Sequence, residues 1–167
     1  MTHNLPQIPP RPPGDDVRGF LPDHEGQQLF EWARQVSPIG PLLEIGSYCG
    51  RSTIWLGQAA KAYDTVVFAL DHHRGSEEHQ PGESHHDEAL VDTKGRFDSF
   101  GEFRRNIAAA GLEDTVIPIV ASSETVGLHW QSGLGMVFVD GGHSLDAALA
   151  DYRTWACLLY TSPSPRD

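Results

Sequence analysis

A chain of 167 residues, 39% hydrophobic and 21% charged, has room for one domain with a real core and too little for two ordinary ones. Its formal charge of -11, with only 12 basic residues and no basic block, repels phosphate backbones and disfavours a nucleic-acid substrate, leaving a small molecule or neutral glycan as the better partner. No run of about 18 apolar residues is present to span a bilayer, and the proline-rich start, Met1 to Pro13, lacks the apolar stretch of a secretory signal, so a cytoplasmic protein without membrane contact is expected.

Residues 1–21 read as a Pro-rich segment, 22–156 as one domain and 157–167 as a tail. Leu29, Phe30, Ala33 and Val36 share one helical face behind Asp23, a candidate N-cap, and Ser37 to Pro41 stop that helix. Leu42 to Ile45 is a short apolar run ending in glycine, the first core strand. Trp55, Ala59 and Ala62 recur at helical spacing over 51–63, and Thr65 to Leu70 is the continuously apolar stretch of a strand covered on both faces, ending at Asp71. Residues 72–96 break every period and carry His72, His73, His79, His85 and His86; they read as a long loop or lid, with Arg74 and Glu77 able to bond hydroxyl-rich ligands. Adjacent histidines in a polar loop are usually solvated, and their spacing fits no zinc signature.

Ser99-x-x-Glu102 has the capping-box form ahead of a helix that carries Phe100, Phe103 and Ile107 and stops at Gly111. Val116 to Val120 is a third strand, Ser122 opens a short helix or turn, and Met136 to Val139 is a fourth strand ending at Asp140. Leu145, Leu149, Tyr152 and Ala156 mark a last helix. Strands alternating with helices predict an α/β fold: a Rossmann-like parallel sheet of about four strands sandwiched by helices. Trp130 and Trp155 read as packing residues. Cys49 and Cys157 lie in separate elements and are expected to be free thiols.

Glu44-Ile45-Gly46-Ser47-Tyr48-Cys49-Gly50 sits between the first strand and its helix, where glycines permit unusual backbone and free helix N–H groups favour a carboxylate. On its own the motif also suits a bare turn. Asp71, about 20 residues beyond it at the end of the next strand, is placed to accept ribose hydroxyls, and together they favour a nucleoside-containing cofactor. Tyr48 stands where a dinucleotide fold needs a small residue, which disfavours NAD. The E-x-G-x-x-x-G form, with Asp71, Ala121-Ser122-Ser123 and Val137-Phe138-Val139-Asp140 in that order, resembles the class I S-adenosylmethionine-dependent methyltransferases over about residues 22–156. The resemblance implies that Glu44, Gly46, Ser47, Gly50 and Ser52 surround the methionine end of S-adenosylmethionine. Asp71 would bind its ribose, His72 would flank the ribose or adenine, and Ala121 and Ser122 would lie on the adenine side.

Asp140-Gly141-Gly142-His143 places a carboxylate at the end of a strand and an imidazole three residues on. A carboxylate there can hold Mg²⁺ or contact the cofactor, and His143 can take a hydroxyl proton. The arrangement is similar to that of sugar O-methyltransferases and parallels the D-x-x-K of catechol-type enzymes. The histidine-rich segment resembles a bacterial group that includes methylmannose-polysaccharide 1-O-methyltransferase. A metal-assisted O-methyltransferase of a sugar or other small molecule is therefore expected, with a homodimer open to the intact protein. Two alternatives stand beside it: a NAD- or nucleotide-sugar-binding oxidoreductase, and a non-catalytic cofactor-binding module. The family sheet usually has seven strands and takes its second acidic metal ligand from the end of the fifth, so the chain is expected to be cut after the helix that ends near Ala156, with residues 157–167 resembling a translated cloning adaptor.

Overall fold

The computed structural model describes residues 10–76, 87–141 and 145–159. Four parallel strands, β1 (Leu42–Ile45), β2 (Val67–Leu70), β3 (Val116–Ile119) and β4 (Met136–Val139), form one sheet in the order β3-β2-β1-β4. Five helices accompany them: α1 (Asp23–Val36), α2 (Arg51–Lys61), α3 (Phe100–Ala109), α4 (Ser123–Gly127) and α5 (Leu145–Trp155). The alternation predicted from periodicity is present, and helices cover both faces. Among the described residues no helix is long and apolar enough to cross a membrane.

Alternation along β1 sorts the core. Leu42 packs with Leu29, Phe30 and Ala33 of α1, Trp55 and Ala59 of α2, and Phe103 and Ile107 of α3. Leu43 and Ile45 point the other way, into a cluster with Leu70, Leu134 and Trp155 that Val126 and Trp130 flank. Trp130 meets Phe68 and Trp155 edge-on, with centroids 4.9 and 5.5 Å away, so both tryptophans are packing residues as expected. β1 is buried along its whole length, whereas β3 and β4, at the two edges, are partly exposed.

The chain runs outward from β1 to β2 and β3, then returns to the opposite side of β1 as β4. Such a reversal opens a crevice beyond the carboxyl ends of the strands, because the connecting loops there diverge to opposite faces.

Local rules gave way to tertiary partners in two places. Pro22, not Asp23, holds the N-cap position of α1, and the Asp23 carboxylate pairs instead with Arg51 across 2.7 Å. Ser99 makes no side-chain cap on α3; its hydroxyl lies 2.8 Å from His73 Nδ1, and Glu102 pairs with Arg105 and Arg18 rather than closing a capping box. β2 begins at Val67, two residues later than its apolar run. The described parts of the 72–96 loop hold one 3-10 turn, Glu88–Leu90, and an isolated bridge between Val91 and Phe97. After α5 a 3-10 turn spans Ala156–Leu158, and the Leu134 N–H donates to Leu158 O at 2.9 Å.

Candidate functional site

The three loops leaving β1, β2 and β4 are fastened to one another at the sheet's carboxyl edge. Gly46 N–H donates to Leu70 O at 2.9 Å and Asp140 N–H to Ile45 O at 2.8 Å, extending the ladder one residue past each strand. Gly46 has φ +93°, and a Cβ there would lie 2.5 Å from Asp140 O and 2.7 Å from Gly141 Cα, so only glycine allows this approach. Tyr48 and His73 also carry left-handed backbone, at φ +47° and +56°, a conformation costly for bulky side chains. One carboxylate holds both: Asp71 Oδ2 accepts from Tyr48 N–H at 2.8 Å, and Asp71 Oδ1 accepts from His73 N–H at 2.7 Å.

Above these loops opens a cleft of about 730 Å³, within the range of small-molecule sites. Of the residues singled out in the sequence, Gly46, Ser47, Ser52, Asp71, His72, Ala121 and Asp140 line it. Glu44, Gly50 and Ser122 are not among its lining residues. Glu44 is buried beneath it, Gly50 starts α2 against Phe103 and Ile107, and Ser122 caps α4 by accepting from Thr125 N–H. His143 lies outside the described residues, as do Glu77, His79, His85 and His86. Arg74 is engaged with Phe97 O at 3.3 Å and Asp98 Oδ2 at 3.2 Å and does not line the cleft.

One wall escaped the sequence reading. Arg18 to Leu21 form it, tied down by Arg51: Nε donates to Leu21 O at 2.9 Å, Nη1 to Val17 O at 3.0 Å, and Nη2 to Asp23 at 2.7 Å. A cation at the first position of a helix opposes the helix dipole, and that anomaly was the available signal for a tertiary role at Arg51. Phe20 stacks on Tyr48 at 6.0 Å and Tyr48 on Phe97 at 6.3 Å, giving the mouth an aromatic row. The opposite wall comes from α4 and α5, where Ser123, Ala147, Ala150 and Asp151 reach the cleft.

Burial governs the ionisable groups near this edge. Desolvation lifts Glu44 to about 7, against hydroxyls of Ser52, Thr53 and Ser47 that favour its anion. Thr53 donates to its Oε2, while Glu44 Oε1 and Ser47 Oγ are buried without a hydrogen-bond partner among the described residues. Burial pushes the Cys49 thiol up to about 12 and the Tyr48 phenol above its ordinary value, so neither is a nucleophile or base at neutral pH. Burial lowers His73, keeping it neutral. Asp71, Asp140 and Asp151 line the cleft, whereas its two arginines, Arg18 and Arg51, are paired with Asp87 and Asp23. The cleft is therefore electronegative. Among the described residues no group of three or more His, Cys, Asp or Glu side chains is arranged to hold a metal ion.

The raised Glu44 value makes stability pH-dependent. The folded carboxyl holds its proton to about 7 and the unfolded one to about 4.5, so the native state binds more protons between those values and loses stability as pH rises through them. Urea midpoints of the wild type are expected to fall between pH 5 and 8, by an energy on the order of 3 kcal/mol, and Glu44→Gln to flatten that decline; equal slopes in both proteins would assign the titration to another group.

A family model described as a methyltransferase domain matches residues 43–162. Among solved structures, a methyltransferase from Podospora anserina with bound S-adenosylhomocysteine superimposes with a TM-score of 0.60 at 17% identity, covering 83% of this chain and 48% of that one. TomG, an O-methyltransferase of tomaymycin synthesis from Streptomyces achromogenes solved with S-adenosylmethionine, gives 0.58 at 20% identity, covering 87% and 54%. An O-methyltransferase from Bacillus cereus solved with S-adenosylhomocysteine gives 0.60 at 17%, covering 87% and 56%. The chain thus spans about half the length of these proteins, and at such identities the likeness is one of fold. The match begins inside β1, takes in the loops after all four strands and continues past α5, and it shows that the chain belongs to the methyltransferase-domain family.

Proposed function

We propose that this domain binds S-adenosylmethionine in the β1–β2–β4 cleft and serves methyl transfer to a hydroxyl oxygen of a sugar or other small molecule, in a cytoplasmic protein. The observation that carries the reading is the Asp71 carboxylate, which faces the cleft while gripping the Tyr48 and His73 backbones. Each of its oxygens retains a lone pair for a ribose hydroxyl. One further feature fits: three cleft carboxylates favour a cationic sulfonium with its ammonium group. That some similar solved proteins carry S-adenosylmethionine or S-adenosylhomocysteine supports the same assignment.

When bound, S-adenosylmethionine supplies an electrophilic methyl on a good leaving group, so the protein's task is orientation and proton handling. Gly46, Ser47 and Ser52 would hold the methionine end, Asp71 and His72 the ribose, and Ala121 with Ser122 the adenine side. Glu44 and Gly50 would shape the loop from beneath. His143 would accept the acceptor hydroxyl's proton on a ring nitrogen as the oxygen attacks. For a divalent cation such as Mg²⁺ the described residues offer the Asp140 carboxylate as a ligand and no complete ligand set; a cation held there would favour the ionised form of the acceptor hydroxyl. A carbohydrate acceptor and a homodimeric assembly belong to the same proposal, and the charge of -11 disfavours RNA as acceptor.

Calorimetry is expected to show binding of S-adenosylhomocysteine but not NAD, and Asp71→Ala to weaken it at least about tenfold, the value of a hydrogen bond to a charged group. Binding of NAD alone would end the assignment. His143→Ala is expected to lower kcat by about 10²-fold or more with cofactor affinity unchanged, the signature of a lost general base. Unchanged turnover would remove His143 from the mechanism, and activity that survives a chelator would remove the metal.

A further inference from the structure

The far end of the cleft, between the loop after β3 and helix α5, has a chemistry of its own. Ala121, Gly141, Ala147 and Ala150 line it with methyl groups or hydrogen alone, which leaves low apolar surfaces suited to a flat ring. Asp151 brings a carboxylate to this otherwise apolar stretch. Its Oδ1 accepts from the Ser123 hydroxyl, and that hydroxyl in turn accepts from the indole N–H of Trp155 at 2.8 Å. Trp155 is fully buried, so the chain Trp155, Ser123, Asp151 anchors the carboxylate to the core and holds α5 against the start of α4. Oδ2 is turned toward Gly141: a Cβ on that glycine would sit 3.8 Å from it. Among the described residues Oδ2 has no hydrogen-bond partner.

A carboxylate only accepts hydrogen bonds, and one fixed beside small apolar residues selects a planar ring that carries an N–H donor on its edge. Adenine meets that description through its exocyclic amino group; a base with a carbonyl at the same position would set two acceptors against each other. Resting on the cofactor reading above, we propose that Asp151 is the residue that reads the adenine amino group, with Oδ2 as acceptor and the Ser123 to Trp155 chain as its positioning support.

The test measures binding, not turnover, on the full chain by calorimetry with two probes, S-adenosyl-L-homocysteine and S-inosyl-L-homocysteine, in which a carbonyl replaces the amino group. The wild type is expected to prefer the adenosyl compound at least about tenfold, since a site built to accept from an N–H rejects the analogue lacking it. Asp151→Asn, of nearly equal shape and able to donate as well as accept, is expected to bring the two affinities within about twofold, with Ser123→Ala retaining most of the preference. An undiminished preference in Asp151→Asn would overturn the proposal, and a preference lost only in Ser123→Ala would transfer the contact to Ser123 and overturn it equally. Binding of neither probe would strike the cofactor reading itself, an outcome distinct from binding both without discrimination, which strikes Asp151 alone.

Discussion

Asp71 accepts two backbone N–H groups with its two carboxylate oxygens, and the shape of the cleft follows from that arrangement. Both donors belong to residues in left-handed backbone, Tyr48 in the turn after β1 and His73 in the turn after β2. Neither conformation is favourable for a side chain of that size, so each persists where surrounding bonds over-determine it. A hydrogen bond to an ionised group is stronger than a neutral one, which makes a carboxylate well suited to hold two strained turns at once. The turns in turn fix the aromatic row: Tyr48 projects between Phe20 and Phe97 because its backbone is held where it is.

Electrostatics within the fold is layered. A paired outer ring, Arg18 with Asp87 and Arg51 with Asp23, fastens the N-terminal wall and takes the arginines out of the cleft's charge balance. The inner acids Asp71, Asp140 and Asp151 line the cleft, and Glu44 below them is pushed toward the neutral form by burial and, in smaller part, by Asp140. A buried acid held near neutrality limits the negative charge stacked under a site that already carries three carboxylates.

The fold was legible because its cues are local. Short apolar runs and helical stripes within ten or so residues marked the four strands and four of the helices, with the α4 segment read as a short helix or turn, and the Gly46 turn with its strand-end acids pointed to the carboxyl edge of the sheet where the cleft lies. Site residues were legible where a backbone feature demanded them, as at Gly46 and Asp71. They were obscure where a side chain's partner lies far along the chain. Ser99 has the form of a cap, yet its hydroxyl meets His73, 26 residues earlier. Arg51 is a cation misplaced at a helix start, but that oddity does not name its partners, which are carbonyls 30 and 34 residues before it. Asp151 carried no signal, because its meaning depends on Ser123, Gly141 and the small residues around them.

The sequence by itself determined the order of the elements, the parallel character of the sheet and the motifs at the strand ends, since periodicity, turn chemistry and continuous apolar runs are properties of neighbouring residues. Tertiary structure decided which of the motif residues face the cleft and which support it from beneath. Glu44 and Ser47 stand three positions apart in one motif and both are buried, yet in the fold Ser47 lines the cleft and Glu44 does not. That division has a physical cause: a residue's conformation is set largely by its neighbours in sequence, whereas its solvation and charge are set by whatever the fold brings against it.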